Sequence, residues 1–337
     1  MQAILPLAGK GTRLRPHTHT RPKPLLRVGN RPVLDHVLDR LRKAGVDEVI
    51  GITGHLAGAI EAHLARHHPD LAFRAVPQER QLGTADAVRL AEPWVSGPVL
   101  IVFVDTLFDA DFGLIGARSD VDGIIWAKEV EDYQRFGVIV TNADGTMRQI
   151  VEKPNEPVSR LANIGLYYVR DSGHLFEGIR HVMAAEPKLG EYFLTDAFQF
   201  MIDGGARLLT AEVASWWDCG KPETLLETNR NVLEAGGESR PPSGTGLRIE
   251  APVCVDASVE LVDSRIGPNV SIAAGSVIRG SRLRDCIVGE GTVLENCRLE
   301  SSIVGDSVTA SGLEGRVSLG DHTTVDGSRE ADDGGAT

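Results

Sequence analysis

Residues 7–16, LAGKGTRLRP, follow a short apolar run and contain Gly9 and Gly11. Glycines there let backbone N–H groups face a phosphate with no Cβ in the way. Arg13 closes the loop, and Lys23 follows ten residues on, in RPKPLL. Two cations on a glycine loop suit a triphosphate, because charge-assisted hydrogen bonds to phosphate oxygens are strong. Two stricter phosphate motifs are excluded. Leu14 takes the place of the third glycine of GxGxxG, and no Gly-Lys pair followed by Ser or Thr sits five residues after a first glycine. Asp105 comes straight after the apolar run 99–104, and Asp218 follows Trp216 and Trp217. Each acid has two readings. Asp105 holds Mg²⁺, which takes one or two carboxylates plus substrate phosphates, or it caps the turn after it. Asp218 is a second metal acid or the N-cap of a helix near Lys221. Gln78 and the stretch 81–87, QLGTADA, offer an amide that donates and accepts, suited to reading a base edge, and a glycine, Gly83, that lets backbone approach it. Glu152-Lys153 is an acid for sugar hydroxyls beside a cation for a phosphate, or a solvated ion pair.

These groups act together only where strand ends gather them. Residues 3–7 read as a strand. Residues 31–44 space Val33, Val37 and Leu41, with Leu34 and Leu38, as a helix does. A strand over 48–53, a helix over 56–66 and a strand over 71–76 follow, and Thr84 is expected to cap a helix running to Ala91. The unbroken apolar run 99–104 predicts a strand buried on both faces. Strands over 123–128, 137–140, 164–169 and 207–211 come next, mixed with helical stretches, and a helix over 221–234 closes this part. Alternating strands and helices predict an α/β fold with a Rossmann-like, mostly parallel sheet and ligands beyond the carboxyl ends of the strands.

The pattern then changes. Residues 236–246, GGESRPPSGTG, read as a linker by composition, extended here to 236–250. Val253 and Val259, then Ile266, Ile272 and Ile278, then Val288 and Leu294, recur at intervals of six. Small aliphatics at that period predict a hexapeptide-repeat, left-handed parallel β-helix over 251–326. All 17 aromatic residues lie at or before Trp217, as a narrow coil with small inward residues requires. The phase slips between Ile278 and Val288, which predicts an extruded loop there. Residues 327–337 read as a disordered tail, and residues 1–235 as the first domain.

With 35 Lys+Arg against 47 Asp+Glu the net charge is −12, which argues against a nucleic-acid-binding protein. No apolar run approaches the ~18 residues that span a membrane. The first residues lack the basic region and cleavage site of a secretory signal, so a cytoplasmic location is expected. Cys219, Cys254, Cys286 and Cys297 form no CxxC pair and read as reduced, mostly buried thiols.

Over residues 1–235 the chain resembles the sugar-1-phosphate nucleotidyltransferases (nucleoside-diphosphate-sugar pyrophosphorylases). The resemblance rests on residues 9–16 with Lys23, Gln78 with 82–85 (LGTA), Val104-Asp105, Gly137-Val138, Glu152-Lys153-Pro154, residues 163–167 (NIGLY) and residues 217–220 (WDCG). It implies that Leu7, Ala8, Gly9, Gly11, Thr12, Gln78, Gly83 and Thr84 bind the nucleotide, with Arg13 on the departing pyrophosphate. It implies that Lys23 neutralises the phosphates and that Asp105 and Asp218 hold Mg²⁺. Gly137, Glu152 and Asn163 would contact the sugar, and Lys153 its phosphate. Two residues depart from the family pattern: Ala8 stands where many members have glycine, and Pro24 where short thymidylyl-transferring members have Gln.

The implied reaction joins an NTP and a sugar 1-phosphate into an NDP-sugar and pyrophosphate. A phosphate monoester with a second pKa of about 6 is mostly a dianion at neutral pH, so no general base is needed and in-line attack without a covalent intermediate is expected. Glucose 1-phosphate with dTTP or UTP is the first expectation, and mannose 1-phosphate with GTP the alternative. A bifunctional enzyme with acyl transfer on the β-helix, and a non-catalytic regulatory homologue, are further alternatives. A homo-oligomer is expected.

Overall fold

The computed structural model describes residues 1–236 and 243–327. Residues 237–242 of the expected linker and 328–337 of the expected tail lie outside the described residues. The elements begin with β1 (Gln2–Pro6), β2 (Arg27–Val28), β3 (Arg31–Pro32), α1 (Val33–Lys43), β4 (Glu48–Thr53), α2 (Ala57–His67), β5 (Ala72–Pro77) and α3 (Thr84–Arg89). They continue with β6 (Val99–Val102), β7 (Thr106–Asp109), α4 (Leu114–Ala117), β8 (Gly123–Glu129), β9 (Gly137–Thr141), β10 (Met147–Glu152) and β11 (Leu161–Val169). After these come α5 (Ser172–Met183), α6 (Leu194–Asp203), β12 (Leu208–Glu212), β13 (Ser215–Asp218) and α7 (Pro222–Glu234). Contacts divide the chain into two units. The first holds Met1–Lys10, Pro22–Pro24 and Leu34–Trp217; the second holds Gly11–Arg21, Leu25–Val33 and the described residues from Asp218 onward. A division at residue 235 would put the whole glycine loop in the first domain. Its residues from Gly11 onward instead group with the second unit, because their side chains pair with groups there.

In the first unit one sheet runs β5-β4-β1-β6-β11-β9-β10, with β8 beside β11 and β12 beside β8. β1 pairs in parallel with β4 and with β6, and β4 with β5. The chain builds outward from β1 through β4 to β5, then crosses to lay β6 on the other side of β1. The carboxyl ends of β1 and β6 therefore flank a topological switch point, where open α/β sheets bind ligands. β11 runs antiparallel to β6, β8 and β9. All four residues of β6 are buried, as its unbroken apolar sequence requires. Val37, Leu38 and Leu41 of α1 are buried at the spacing that predicted the helix. Thr84 does not cap α3. Gly83 is the N-cap residue, and the Thr84 hydroxyl accepts the Leu194 N–H at 2.9 Å.

α1 and α2 meet through a polar cluster that no sequence motif announced. His63 Nε2 and His68 Nε2 lie 2.7 and 2.9 Å from the same Asp35 oxygen, and Arg42 Nη2 lies 3.0 Å from His68 Nδ1. A guanidinium only donates, so His68 accepts at Nδ1, and its Nε2–H donates a hydrogen bond to Asp35. Burial pushes the Asp35 carboxyl up, but the hydrogen bonds and charge interactions of His63 and His68 together outweigh it and hold it below its ordinary 3.8. A depressed folded pKa gives stability that is present above the unfolded value and lost as pH falls through the folded one. Asp35→Ala is expected to cost about 1–3 kcal/mol at neutral pH by urea denaturation. The gap to the parent protein should narrow below about pH 4; a constant gap down to pH 2 would remove the ionised pairing.

In the second unit the chain after residue 243 winds into a parallel β-helix. Val253, Val259, Ile266, Ile272, Ile278, Val288 and Leu294, the positions spaced at six, all point into its core. Glu260 pairs with Val277, Val277 with Val293, Val293 with Thr309 and Thr309 with Thr324, so successive coils take 17, 16, 16 and 15 residues. No loop is extruded between Ile278 and Val288. Leu283 fills the core midway between them, and two sides of that coil are each one residue shorter. Buried hydroxyls stitch the coils together: Ser276 donates to the Gly289 carbonyl at 2.7 Å and Thr292 to the Gly305 carbonyl at 2.8 Å. α7 packs on these coils, with Arg230 on Asp285 at 2.9 Å and the Asn229 carbonyl oxygen accepting from Ser271 at 2.9 Å. The four cysteines are buried and outside any disulfide. No helix among the described residues is long and apolar enough to cross a membrane.

Candidate active site

A cavity of about 250 Å³ opens in the first unit at the carboxyl ends of β1, β5 and β6. The loop after β1 brings Leu7, Ala8 and Gly9 to it. The segment after β5 brings Gln78, Gly83 and Thr84, and the turn after β6 brings Asp105. Lys23 reaches the same wall, and its Nζ lies 3.1 Å from Asp105 Oδ2. Lys23 is 14% exposed and Asp105 43%. The cation is thus enclosed beside the carboxylate, while the carboxylate keeps a face toward the cavity.

Two residues shape the end of this cavity near Gln78. The Gln78 amide donates to Asp86 Oδ2 at 2.9 Å, and Arg89 donates to Asp86 Oδ1 at 2.9 Å. A carboxylate only accepts, so the NH₂ end of Gln78 must face Asp86, and its Oε1 faces elsewhere as an acceptor. Gly83 has φ +119, and a Cβ on it would meet the Tyr192 carbonyl oxygen at 2.4 Å. Backbone bonds cause that closeness: Tyr192 N–H to the Leu82 carbonyl at 2.8 Å and Ala85 N–H to the Tyr192 carbonyl at 2.9 Å. Gly83 therefore lets two backbone segments touch as well as lining the cavity. Gln81 also bonds the Ala8 carbonyl, tying this segment to the loop after β1.

A second group lies along β9, β10 and β11 of the same unit. A Cβ on Gly137 would sit 2.5 Å from Asn163 Nδ2, 2.8 Å from Glu152 Oε2 and 2.8 Å from Thr195 Cγ2. Gly137, Glu152 and Asn163 are thus brought to one point, although 26 residues separate Gly137 from Asn163. Asn163 Nδ2 donates to the Gly137 carbonyl at 2.7 Å, and the Tyr167 hydroxyl donates to its other end. Thr195 donates to Glu152 Oε2 at 3.0 Å. Burial raises the Glu152 carboxyl, with the Thr195 bond and the Lys153 charge opposing. Lys153 is exposed, with Nζ 4.8 Å from the centre of the Phe193 ring. The Phe103 N–H bonds to the Gly165 carbonyl at 2.9 Å, so the start of the β6 turn adjoins the bulge in β11 beyond Asn163.

Arg13 and Asp218 belong to the second unit and meet beside Gly220. A Cβ there would lie 2.7 Å from Asp218 Oδ1 and 3.1 Å from Arg13 Nη2. Asp218 does not cap α7; Lys221 is the N-cap residue. The Asp218 oxygens accept from the Gly220 N–H at 2.8 Å and from the Thr224 hydroxyl at 3.1 Å. Those bonds orient the carboxylate and leave it further lone pairs. Gly11 has φ +58, and its carbonyl accepts from the Thr18 hydroxyl at 2.8 Å, so the loop turns on a left-handed residue. Thr12 is exposed at the start of the next turn.

A family model described as nucleotidyl transferase matches residues 2–235. The chain belongs to the nucleotidyltransferase family. This nucleotidyltransferase is 33% identical over 321 residues to the low-salt glycan biosynthesis nucleotidyltransferase Agl11 of Haloferax volcanii, covering 86% of this chain and 87% of that one. It is 32% identical over 324 residues to a glucose-1-phosphate thymidylyltransferase of Streptomyces antibioticus, with the same two coverages, 86% and 87%. Among solved structures it resembles a UDP-glucose pyrophosphorylase complexed with UDP-glucose. That match has a TM-score of 0.62 at 22% identity and covers 69% of this chain and 98% of that one, a likeness of fold.

Oxygen donors such as Asp105 and Asp218 suit Mg²⁺. The three-residue cluster among the described residues with metal-ligand geometry is Asp35, His63 and His68. Its imidazole nitrogens suit softer ions, and His63 and His68 already donate hydrogen bonds to the carboxylate. Sequence reading passed over Asp86, Thr195, Tyr167 and Tyr192 in this nucleotidyltransferase. Asp86 stands within QLGTADA, but its role depends on a helical turn that aims it back at Gln78. Tyr167 stands within NIGLY, four residues from Asn163 on the same strand, but its bond to Asn163 has no signature in the residue types. Thr195 and Tyr192 act through contacts from elements distant in sequence and carried no local signal.

Proposed function

We propose that this nucleotidyltransferase uses Mg²⁺ to transfer a nucleotidyl group from an NTP to a sugar 1-phosphate, releasing pyrophosphate. Glucose 1-phosphate with dTTP or UTP is the expected pair. The observation that carries this reading is the cavity at the β1/β6 switch point, with the Lys23–Asp105 pair facing Gln78 and Gly83. The similarity to a glucose-1-phosphate thymidylyltransferase along most of both chains supports the choice of sugar.

The residues divide the work. Leu7, Ala8 and Gly9 line the nucleotide's path, with Gly11, Thr12 and Arg13 completing its loop. Gln78 offers Oε1 to a base N–H, and Asp86 keeps it turned that way. Lys23 exchanges Asp105 for phosphate oxygens when the nucleotide enters, so its charge is neutralised in both states and little reorganisation is needed. Asp105 in the first unit and Asp218 in the second are the carboxylates that would hold Mg²⁺, and the ion would supply charge cancellation on the phosphates. Glu152, held by Thr195, and Asn163, held by Tyr167, present an acceptor and an amide to sugar hydroxyls. Lys153 screens the attacking phosphate, and no side chain has to remove a proton, since that phosphate is already a dianion.

The test is pyrophosphate release from a panel of NTPs and sugar 1-phosphates, read as kcat/KM. Release is expected only when both substrates are present, and fastest with glucose 1-phosphate and dTTP or UTP. No release from any pair would overturn the reading. Lys153→Ala should raise KM for the sugar 1-phosphate roughly tenfold and leave KM for the NTP within about twofold. An unchanged sugar-phosphate KM would remove its role.

A further inference from the structure

Three successive coils of the β-helix turn at Gly289-Glu290, Gly305-Asp306 and Gly320-Asp321, directly after the paired positions Val288, Val304 and Leu319. An acid therefore recurs at one corner. The first two glycines make room for the next coil's acid: a Cβ on Gly289 would lie 2.4 Å from Asp306 Oδ1, and one on Gly305 2.4 Å from Asp321 Oδ1. The Glu290 N–H donates to Asp306 at 2.9 Å and the Asp306 N–H to Asp321 at 2.8 Å.

Neighbouring like charges in a ladder repel, so a column of acids destabilises an isolated β-helix. Here residues 16–21 and Arg27, of the same unit, supply the compensation. Arg21 pairs with Asp306. Arg27 pairs with Asp306 at 3.1 Å and also with Glu290. The Thr20 hydroxyl donates to Asp321 at 2.8 Å, His17 Nε2 lies 3.0 Å from the Ser318 hydroxyl, and Gly320 leaves room for Pro16. Arg27 and Asp306 are only 14% and 16% exposed, so this pairing is more than a solvated surface contact.

We propose that Asp306 is a positioning residue for nucleotide transfer: through Arg21 and Arg27 the acid column holds the segment that continues from Arg13, and the terminal coils are thereby part of the catalytic scaffold. This rests on the reading of Arg13 as a nucleotide-phosphate ligand. A role in folding alone predicts lost stability with unchanged kinetics of the folded fraction. A positioning role predicts a defect confined to one substrate.

The test measures kcat/KM for each substrate in Asp306→Asn, Arg21→Gln and the double variant, with Arg298→Gln on another face as control. Asp306→Asn should lower kcat/KM for the NTP by about 10- to 100-fold, the scale of a loop misplaced by up to about 1 Å. KM for the sugar 1-phosphate should stay within about twofold, and the double variant should be no worse than Asp306→Asn alone. Amide hydrogen exchange over residues 12–20 should speed up in Asp306→Asn and not in the control. Arg21→Gln keeps Arg27 on Asp306, so it tests the same direction where Asp306→Asn fails to fold. NTP kinetics within about twofold of the parent in the folded variants, or equal losses for both substrates, would overturn the proposal. A parent protein inactive on every substrate pair would instead sink the proposed function, and the exchange measurement would still judge the positioning.

Discussion

Asp105→Asn is expected to lower turnover by about 10²- to 10³-fold while the chain stays folded. Asn matches Asp in shape, so the turn after β6 keeps its packing and the thermal midpoint should move little. What disappears is one negative charge at the edge of the cavity, 3.1 Å from the Lys23 ammonium. Magnesium binds through one or two carboxylates and substrate phosphates, so a neutral amide weakens its hold. The remaining activity should need a higher Mg²⁺ concentration. Asp218→Asn should act in the same direction, and its bonds from Gly220 and Thr224 survive in part, since an Asn carbonyl accepts like a carboxylate oxygen. Turnover and Mg²⁺ dependence unchanged in the folded Asp105→Asn protein would mean that the acid only balances Lys23. The metal assignment would then be withdrawn.

Gly137→Ala is expected to lower kcat/KM for the sugar 1-phosphate by roughly 100-fold and to leave nucleotide binding alone. Gly137 does not have a left-handed backbone; the constraint is space. The new methyl would stand 2.5 Å from Asn163 Nδ2 and 2.8 Å from Glu152 Oε2, both too close. Neither neighbour yields cheaply. Asn163 is held by the Gly137 carbonyl and by Tyr167, and Glu152 by Thr195. Moving either group breaks a bond inside a polar cluster and re-aims a side chain proposed to meet the sugar. Binding of the Mg-nucleotide without sugar, measured by calorimetry, should match the parent protein. Normal use of the sugar phosphate by a folded Gly137→Ala protein would show that the sugar binds elsewhere.

Local chemistry made much of the molecule legible in its sequence. The unbroken apolar run ending near Asp105 marked β6, because a strand buried on both faces has no polar position to spare. The spacing of Val33, Val37 and Leu41 marked α1. The six-residue recurrence from Val253 to Leu294, with no aromatic residue after Trp217, marked a β-helix whose coils admit only small side chains. The phase slip near Leu283 misled for a physical reason: a coil side shortened by one residue and an extruded loop disturb the period alike.

The residue types and their order suffice to nominate the groups proposed for the chemistry: the glycine loop with Arg13 and Lys23, the acids Asp105 and Asp218, and the polar set Gly137, Glu152 and Asn163. Which groups hold one another follows from the folded chain and not from residue type. The fold sets Asp86 to turn Gln78, Thr195 to hold Glu152, and Asp306 to anchor Arg21 and Arg27. The reason is range. Strand and coil patterns depend on neighbours a few residues apart, which a sequence displays. A hydrogen bond from α6 to β10, or from residue 21 to residue 306, depends on where the chain returns to itself.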